Sequence, residues 1–233
     1  MIQELVPGRK RIPSKHQSDY FKKRSNYSKK RSIYIVSNIP LCAMRPEEKV
    51  YNAYFESKKS SLYFNELKEL SNLSDSSLSN TLNKLTESHI LFKEKTKSNT
   101  FYQIQDKKLM ALKFSEIAIT RFRNLNRGVR VPLSNFLAEL PESIYTVILF
   151  GSASRKEERK ESDIDILVVA DEALDLDSDR KNAQVVSNHT LSIFRCNIEE
   201  FLKNKDHVIL QARKTGFAIH KEQNFYEVVL DGY

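Results

Sequence analysis

Cysteine is nearly absent. Only Cys42 and Cys196 occur in 233 residues, too few and too scattered for a disulfide framework or a zinc site. Such usage suits a reducing cytoplasm, where each thiol reads as a small buried hydrophobe. Long apolar runs are absent as well. Nothing approaches the ~20 residues of a membrane span, and the N-terminus has no apolar core of a secretory signal. The expectation is a cytoplasmic protein with no membrane partner. Acidic residues are scarce in one place only. Residues 1–31 hold ten Lys or Arg against Glu4 and Asp19, whereas residues 32–233 carry 28 of each sign. The whole net charge of +8 therefore lies in the first 31 residues.

That basic stretch, 1–32, has little to bury and reads as disordered, or as ordered only on a polyanion. Two readings stand beside each other: an arm on nucleic-acid phosphates, or a solubilising extension. The rest of the chain is long enough for two modest domains.

Residues 33–106 have a helical rhythm that ends in short strands. Pro46-Glu-Glu opens a helix with Pro and acids in its first turn. Val50 and Tyr54, and Tyr51 and Phe55, share a face at i, i+4. A short helix runs from Tyr63 to about Leu70. Ser74 then caps a helix from Asp75 to about Ser88, whose apolar stripe is Leu78, Leu82 and Leu85. Its opposite face offers Ser76, Ser77, Asn80, Asn83 and Lys84. Two strand-like runs follow, Ile90 to Lys95 and Thr100 to Ile104. A connecting helix, 107–131, carries Leu109, Leu112, Ile117 and Ile119, then a basic stretch of Arg121, Arg123, Arg127 and Arg130. A helix around Pro132–Leu140 leads into a strand at about Ile144–Phe150.

The chemistry concentrates in the segment Val147–Val169. An apolar run ends in Gly151-Ser152, ten residues intervene, and Asp163 and Asp165 enter a second apolar run. Aspartates one residue apart on a strand share a face. They repel each other unless something positive lies between them, and a hard divalent cation takes carboxylate oxygens while keeping places for phosphates. The Gly-Ser turn is expected to open a helix whose free N–H groups suit a phosphate. An anion seat beside a metal seat is the arrangement of nucleotidyl transfer.

Gly-Ser, ten residues and Asp-x-Asp resemble the signature of the nucleotidyltransferase superfamily with the polymerase-β-like fold, in particular its minimal nucleotidyltransferases. The likeness covers about residues 135–233. The string from Tyr63 to Gln105 resembles the winged helix-turn-helix domains of small prokaryotic regulators. Together they imply an α+β protein, with a winged helix followed by a small nucleotidyltransferase domain (mixed sheet with helices) over 132–233. The resemblance implies that Asp163 and Asp165 hold Mg²⁺ or Mn²⁺ and are the catalytic pair. It also implies that Gly151, Ser152 and Arg155 bind an NTP, with ATP as the expected donor. On the winged helix, Ser76, Ser77, Asn80 and Lys84 would face DNA bases or phosphates, and Lys95 and Lys97, with Lys93, would touch backbone. The module alternatively docks protein or dimerises. Minimal nucleotidyltransferases also resemble antitoxins that modify a toxin, so a toxin or another protein is a second possible acceptor.

The pattern departs from the family in two places. The strand expected over 189–196 has no third carboxylate; Ser192 or Asn197 occupies its position. Lys156 stands where Gly is usual. Two functions follow: a nucleotidyltransferase with a DNA-binding module, or a nucleotide-sensing DNA-binding regulator whose transferase domain is weak or inactive.

Overall fold

A computed structural model describes residues 44–159, 162–171, 176–184, 189–203 and 205–232. They belong to one compact unit, Val36–Tyr233. The basic arm 1–32 and Cys42 lie outside the described residues.

The first helix among the described residues, α1 (Pro46–Ser57), starts where expected. Glu48 accepts the Arg45 backbone N–H at 2.9 Å, which satisfies one of the orphan donors every helix start leaves. Lys58 ends it in the left-handed region, at φ 54°. Strand β1 (Ser61–Tyr63) follows, then α2 (Phe64–Ser71) and α3 (Asp75–Glu87). The Ser74 hydroxyl caps α3 by accepting the Ser77 N–H at 3.3 Å. The leucine stripe is buried as its spacing predicts. Strands β2 (Leu91–Lys95) and β3 (Thr100–Ile104) form a hairpin, and β1 pairs with β3, giving the antiparallel order β1-β3-β2. Strand β1 was not foreseen: three residues are too short to show a period.

Helix α4 (Lys107–Arg123) is a packed core element. It buries Met110, Ala111, Phe114, Ser115 and Ala118, while Leu112 is 45% exposed. The buried stripe is thus displaced from Leu109 and Leu112 by one to two residues. This helix is apolar on several sides, so composition alone does not pick its inner face. The next helix, α5 (Arg127–Ala138), begins ahead of Pro132, because Val129, Leu133 and Phe136 share a buried face that spans the proline.

The second sheet is mixed. Strands β4 (Thr146–Phe150), β5 (Ile164–Val169), β6 (Leu191–Cys196) and β7 (Phe217–His220) lie in the order β6-β5-β4-β7. Strand β4 is antiparallel to β5 and β7, and β6 is parallel to β5. Helices α6 (Asp177–Gln184), α7 (Ile198–Lys203), α8 (His207–Thr215) and α9 (Glu222–Asp231) complete the fold. Leu176, just ahead of α6, and Ala183 within it are buried. The expected α+β class with a mixed sheet is what the chain adopts.

Helices α1, α4 and α9 meet in an aromatic cluster. Phe55 and Phe114 pack edge-to-face at 5.5 Å, Phe114 and Tyr226 at 5.6 Å, and Phe225 and Tyr226 at 4.9 Å. Each such pair contributes about 0.5–1.5 kcal/mol beyond burial. Glu56 and Arg121 form an ion pair beside it. Among the described residues no helix is long and apolar enough to cross a membrane.

Candidate nucleotide site

All five residues of β4 and all six of β5 are buried. The polar groups of this sheet therefore gather at strand ends. At one end Phe150 is the register partner of Asp165, so the chain leaves β4 at Gly151 beside the Asp165 carboxylate. Gly151 has φ 77°, a conformation that favours glycine. A Cβ there would also collide with the Asp165 carboxylate oxygen and lie 3.1 Å from its carbon. Two independent reasons, backbone and space, require glycine at this corner.

The turn after Gly151 is not the expected helix. It is a single 3-10 turn, Ala153–Arg155, stopped by Lys156 in the left-handed region at φ 55°. Lys156 takes this conformation without the glycine that the family pattern has there. With one turn only, the helix dipole argument for a phosphate seat loses its basis. What remains is local. The Ser152 hydroxyl is buried and has no hydrogen-bond partner among the described residues, a costly state unless a ligand or water satisfies it.

Asp163 and Asp165 do share a face. Asp165 is only 3% exposed, whereas Asp163 is exposed to water. A carboxylate as deep as Asp165 calls for donors or positive charge around it. On the parallel neighbour β6, Ser192 is the register partner of Asp165, and its hydroxyl donates to the Asp163 carboxylate at 3.3 Å. Ser192 thus stands at the position where a third carboxylate was sought. Asn197 lies beyond the strand, where it caps α7 by accepting the Glu200 N–H at 2.7 Å. Among the described residues no three His, Cys, Asp or Glu side chains gather as a metal set. The donors that are present, two oxygen-rich side chains on one face, fit a hard divalent cation that takes its other ligands from phosphates and water.

Arg155 turns back on the corner. Its guanidinium donates to the Gly151 carbonyl at 2.8 Å and pairs with Glu157 at 3.0 Å. Ser154, which sequence reasoning missed, donates to the Gly151 carbonyl at 2.9 Å and lies 3.4 Å from the Thr215 carbonyl. Also missed was Lys58, whose ammonium donates to the Gly216 carbonyl at 3.3 Å. Burial pushes Lys58 down to about 8. Gly216 sits where α8 closes on β4: a Cβ there would lie 2.7 Å from the Leu149 carbonyl. The Thr-Gly dipeptide was visible in the sequence, but nothing local linked it to Lys58.

The expected DNA-contacting residues fall as follows. Ser76, Asn80 and Lys84 are exposed on one side of α3, at i, i+4 and i+8; Ser77 is half-buried. Lys95 and Lys97 are exposed on the β2–β3 hairpin. The structure brings Gly151, Ser152 and Arg155 together with Asp165, and it groups Asp163 with Asp165 and Ser192.

Residues 133–224 match the family model described as polymerase beta, nucleotidyltransferase. The glycine corner and the paired aspartates lie inside that span. No curated protein and no solved structure matches the chain.

Proposed function

We propose that this protein transfers a nucleotide from an NTP, with ATP as the expected donor, to a hydroxyl acceptor. The observation that carries the reading is the buried Asp165 carboxylate packed on the glycine corner, with Asp163 on the same face. Gly151 lets the triphosphate approach the backbone, and the Ser152 hydroxyl donates to a phosphate oxygen. Asp163 and Asp165 would hold Mg²⁺ or Mn²⁺, which supplies neutralisation of phosphate charge. The acceptor oxygen bonds to the α-phosphorus, the α–β bridging P–O bond breaks, and pyrophosphate leaves while the hydroxyl proton passes to water. Arg155 braces the corner through the Gly151 carbonyl and, as a neighbouring cation, favours the triphosphate. The protein is incubated with labelled ATP, Mg²⁺ and candidate acceptors (a nucleic-acid 3′ end or a toxin-type protein). Asp163→Asn and Asp165→Asn should each lower labelling by about 10²-fold or more. Labelling that survives both substitutions ends this assignment.

A second reading is favoured by Ser192, a hydroxyl where the transfer chemistry wants an acid. On that reading the domain binds a nucleotide without turning it over and reports its presence to a DNA-binding module. Nucleotide binding without pyrophosphate release, measured on one sample, selects it.

In either case we propose that the segment from α1 to β3 acts as a winged helix. The order helix, strand, two helices and hairpin supports this, as do the exposed Ser76, Asn80 and Lys84 on α3 and Lys95 and Lys97 on the hairpin. The basic arm adds phosphate contacts. An arm making about six should give a log–log salt slope near −5, which disappears on deletion of residues 1–31.

A further inference from the structure

Helix α1 keeps two polar groups unsatisfied in its buried stretch. Residues 50–55 are all buried. Tyr54 among them satisfies its hydroxyl by donating to the Tyr102 carbonyl at 2.7 Å. Tyr51 and Asn52 differ. They are only 9% and 7% exposed, yet neither the Tyr51 hydroxyl nor the Asn52 carboxamide has a hydrogen-bond partner among the described residues. Asparagine is a weak helix former, and a buried amide without partners lowers stability. Local structure gives no reason for it here.

Both side chains line one cleft, of about 450 Å³, between α1 and α4. That is the size of a small-molecule site. Met44 and Ile117 supply apolar wall. Polar groups this deep, open to such a cleft, are completed by a ligand that offers them hydrogen bonds.

The charges around the cleft restrict that ligand. Arg45 is paired with Glu48 at 2.7 Å, and Lys113 with Glu116 at 3.0 Å. Glu47 is also in the lining and has no ion-pair partner among the described residues. The lining thus holds an unpaired carboxylate and no unpaired cation. A phosphate or carboxylate entering it would be repelled without compensation, unlike one at the glycine corner. The Asn52 carboxamide is flat, with an acceptor oxygen beside donor N–H groups. Its match is a flat edge carrying a donor beside an acceptor, as asparagine finds on adenine.

We infer that the α1–α4 cleft binds a small, uncharged, planar molecule through an edge on Asn52, the donor–acceptor pair that a nucleobase or a primary carboxamide carries. The Tyr51 hydroxyl adds a hydrogen bond, and Met44 and Ile117 cover the planar body. None of these residues belongs to the Asp163–Asp165 face or to the exposed side of α3.

The test is calorimetry on the full chain, with adenosine, cytidine and nicotinamide as probes and AMP as the anionic control. At least one uncharged probe should bind with a Kd below about 1 mM, and AMP should bind about tenfold more weakly than adenosine. Asn52→Leu keeps the volume without the amide. It should lower affinity about tenfold and melt close to the wild type. Asn52→Asp, which loses the donor, should lower affinity as well. Tyr51→Phe removes only an oxygen and serves as the second variant, with a smaller loss expected. Ser152→Ala, at the corner, should leave probe binding within about twofold. A preference for the nucleosides assigns the edge to a nucleobase, and a preference for nicotinamide assigns it to a carboxamide. The inference is overturned if no uncharged probe binds by that limit, or if Asn52→Leu and Tyr51→Phe bind as the wild type does. It is equally overturned if AMP binds as tightly as adenosine and Asn52→Leu abolishes that binding. Transfer from labelled ATP uses none of these residues, so failure here leaves the transferase reading standing, and the reverse also holds.

Discussion

The two sheets of this protein solve the same problem in opposite ways. In the mixed sheet β4 and β5 are buried on both faces, so polar side chains are admitted only at strand ends. Gly151, Ser152, Asp163 and Asp165 crowd into one such end, where a single backbone turn and one register pair hold them. In the three-stranded sheet one face is wet, and β2 is exposed from its second residue onward. Polar and aromatic groups there are spread over a surface, held by alternation and not by a corner. The difference teaches where each region tolerates change. A site at a buried strand end fails when one backbone atom moves, whereas a surface loses contacts one side chain at a time.

That contrast can be broken most forcefully at Gly151. Gly151→Ala should abolish measurable nucleotide binding by calorimetry and leave the nucleic-acid affinity proposed for the α1–β3 segment unchanged. The left-handed conformation alone costs alanine about 1 kcal/mol, and its Cβ meets the Asp165 carboxylate. Retained nucleotide affinity would mean that the corner is not part of the site. A smaller effect is expected at Ser152. Its buried hydroxyl gains a charge-assisted hydrogen bond only when phosphate arrives, so Ser152→Ala should weaken NTP binding about tenfold with little change in thermal stability.

The smallest effect sharpens the boundary between the regions. Lys58 ends α1 but donates to Gly216 at the end of α8. Its folded value of about 8 lies below the ordinary 10.5. Between those values the unfolded chain keeps a proton that the folded protein has released, so stability contributed at this site rises with pH. The melting-temperature difference between wild type and Lys58→Met should therefore shift in favour of the wild type from about pH 8 to pH 10. A constant difference would place the ammonium in water.

Much of this was legible before the fold was known, for a physical reason that differs by residue. Asp163 and Asp165 share a face because alternation within a strand is local. Gly151 marks a turn because no other residue takes its conformation cheaply. The leucines of α3 show their stripe because the other side of that helix is polar. Where the local signal was ambiguous, the reading slipped. The turn after Gly151 looked like a helix start, but Lys156 in the left-handed region closes it. The inner face of α4 could not be chosen among its many apolar residues until α1 and α9 were placed against it.

The sequence by itself determined the local features: the glycine-serine corner, the spaced aspartates, the capped helices, and the lack of an acid on the strand over 191–196. Each depends on interactions within a few residues, which the order of side chains along the chain already dictates. Only the tertiary structure decided that Ser192 stands beside the aspartates and that Lys58 reaches Gly216. Those pairings join residues tens to more than a hundred positions apart, and strand register and packing geometry, not local preference, select them.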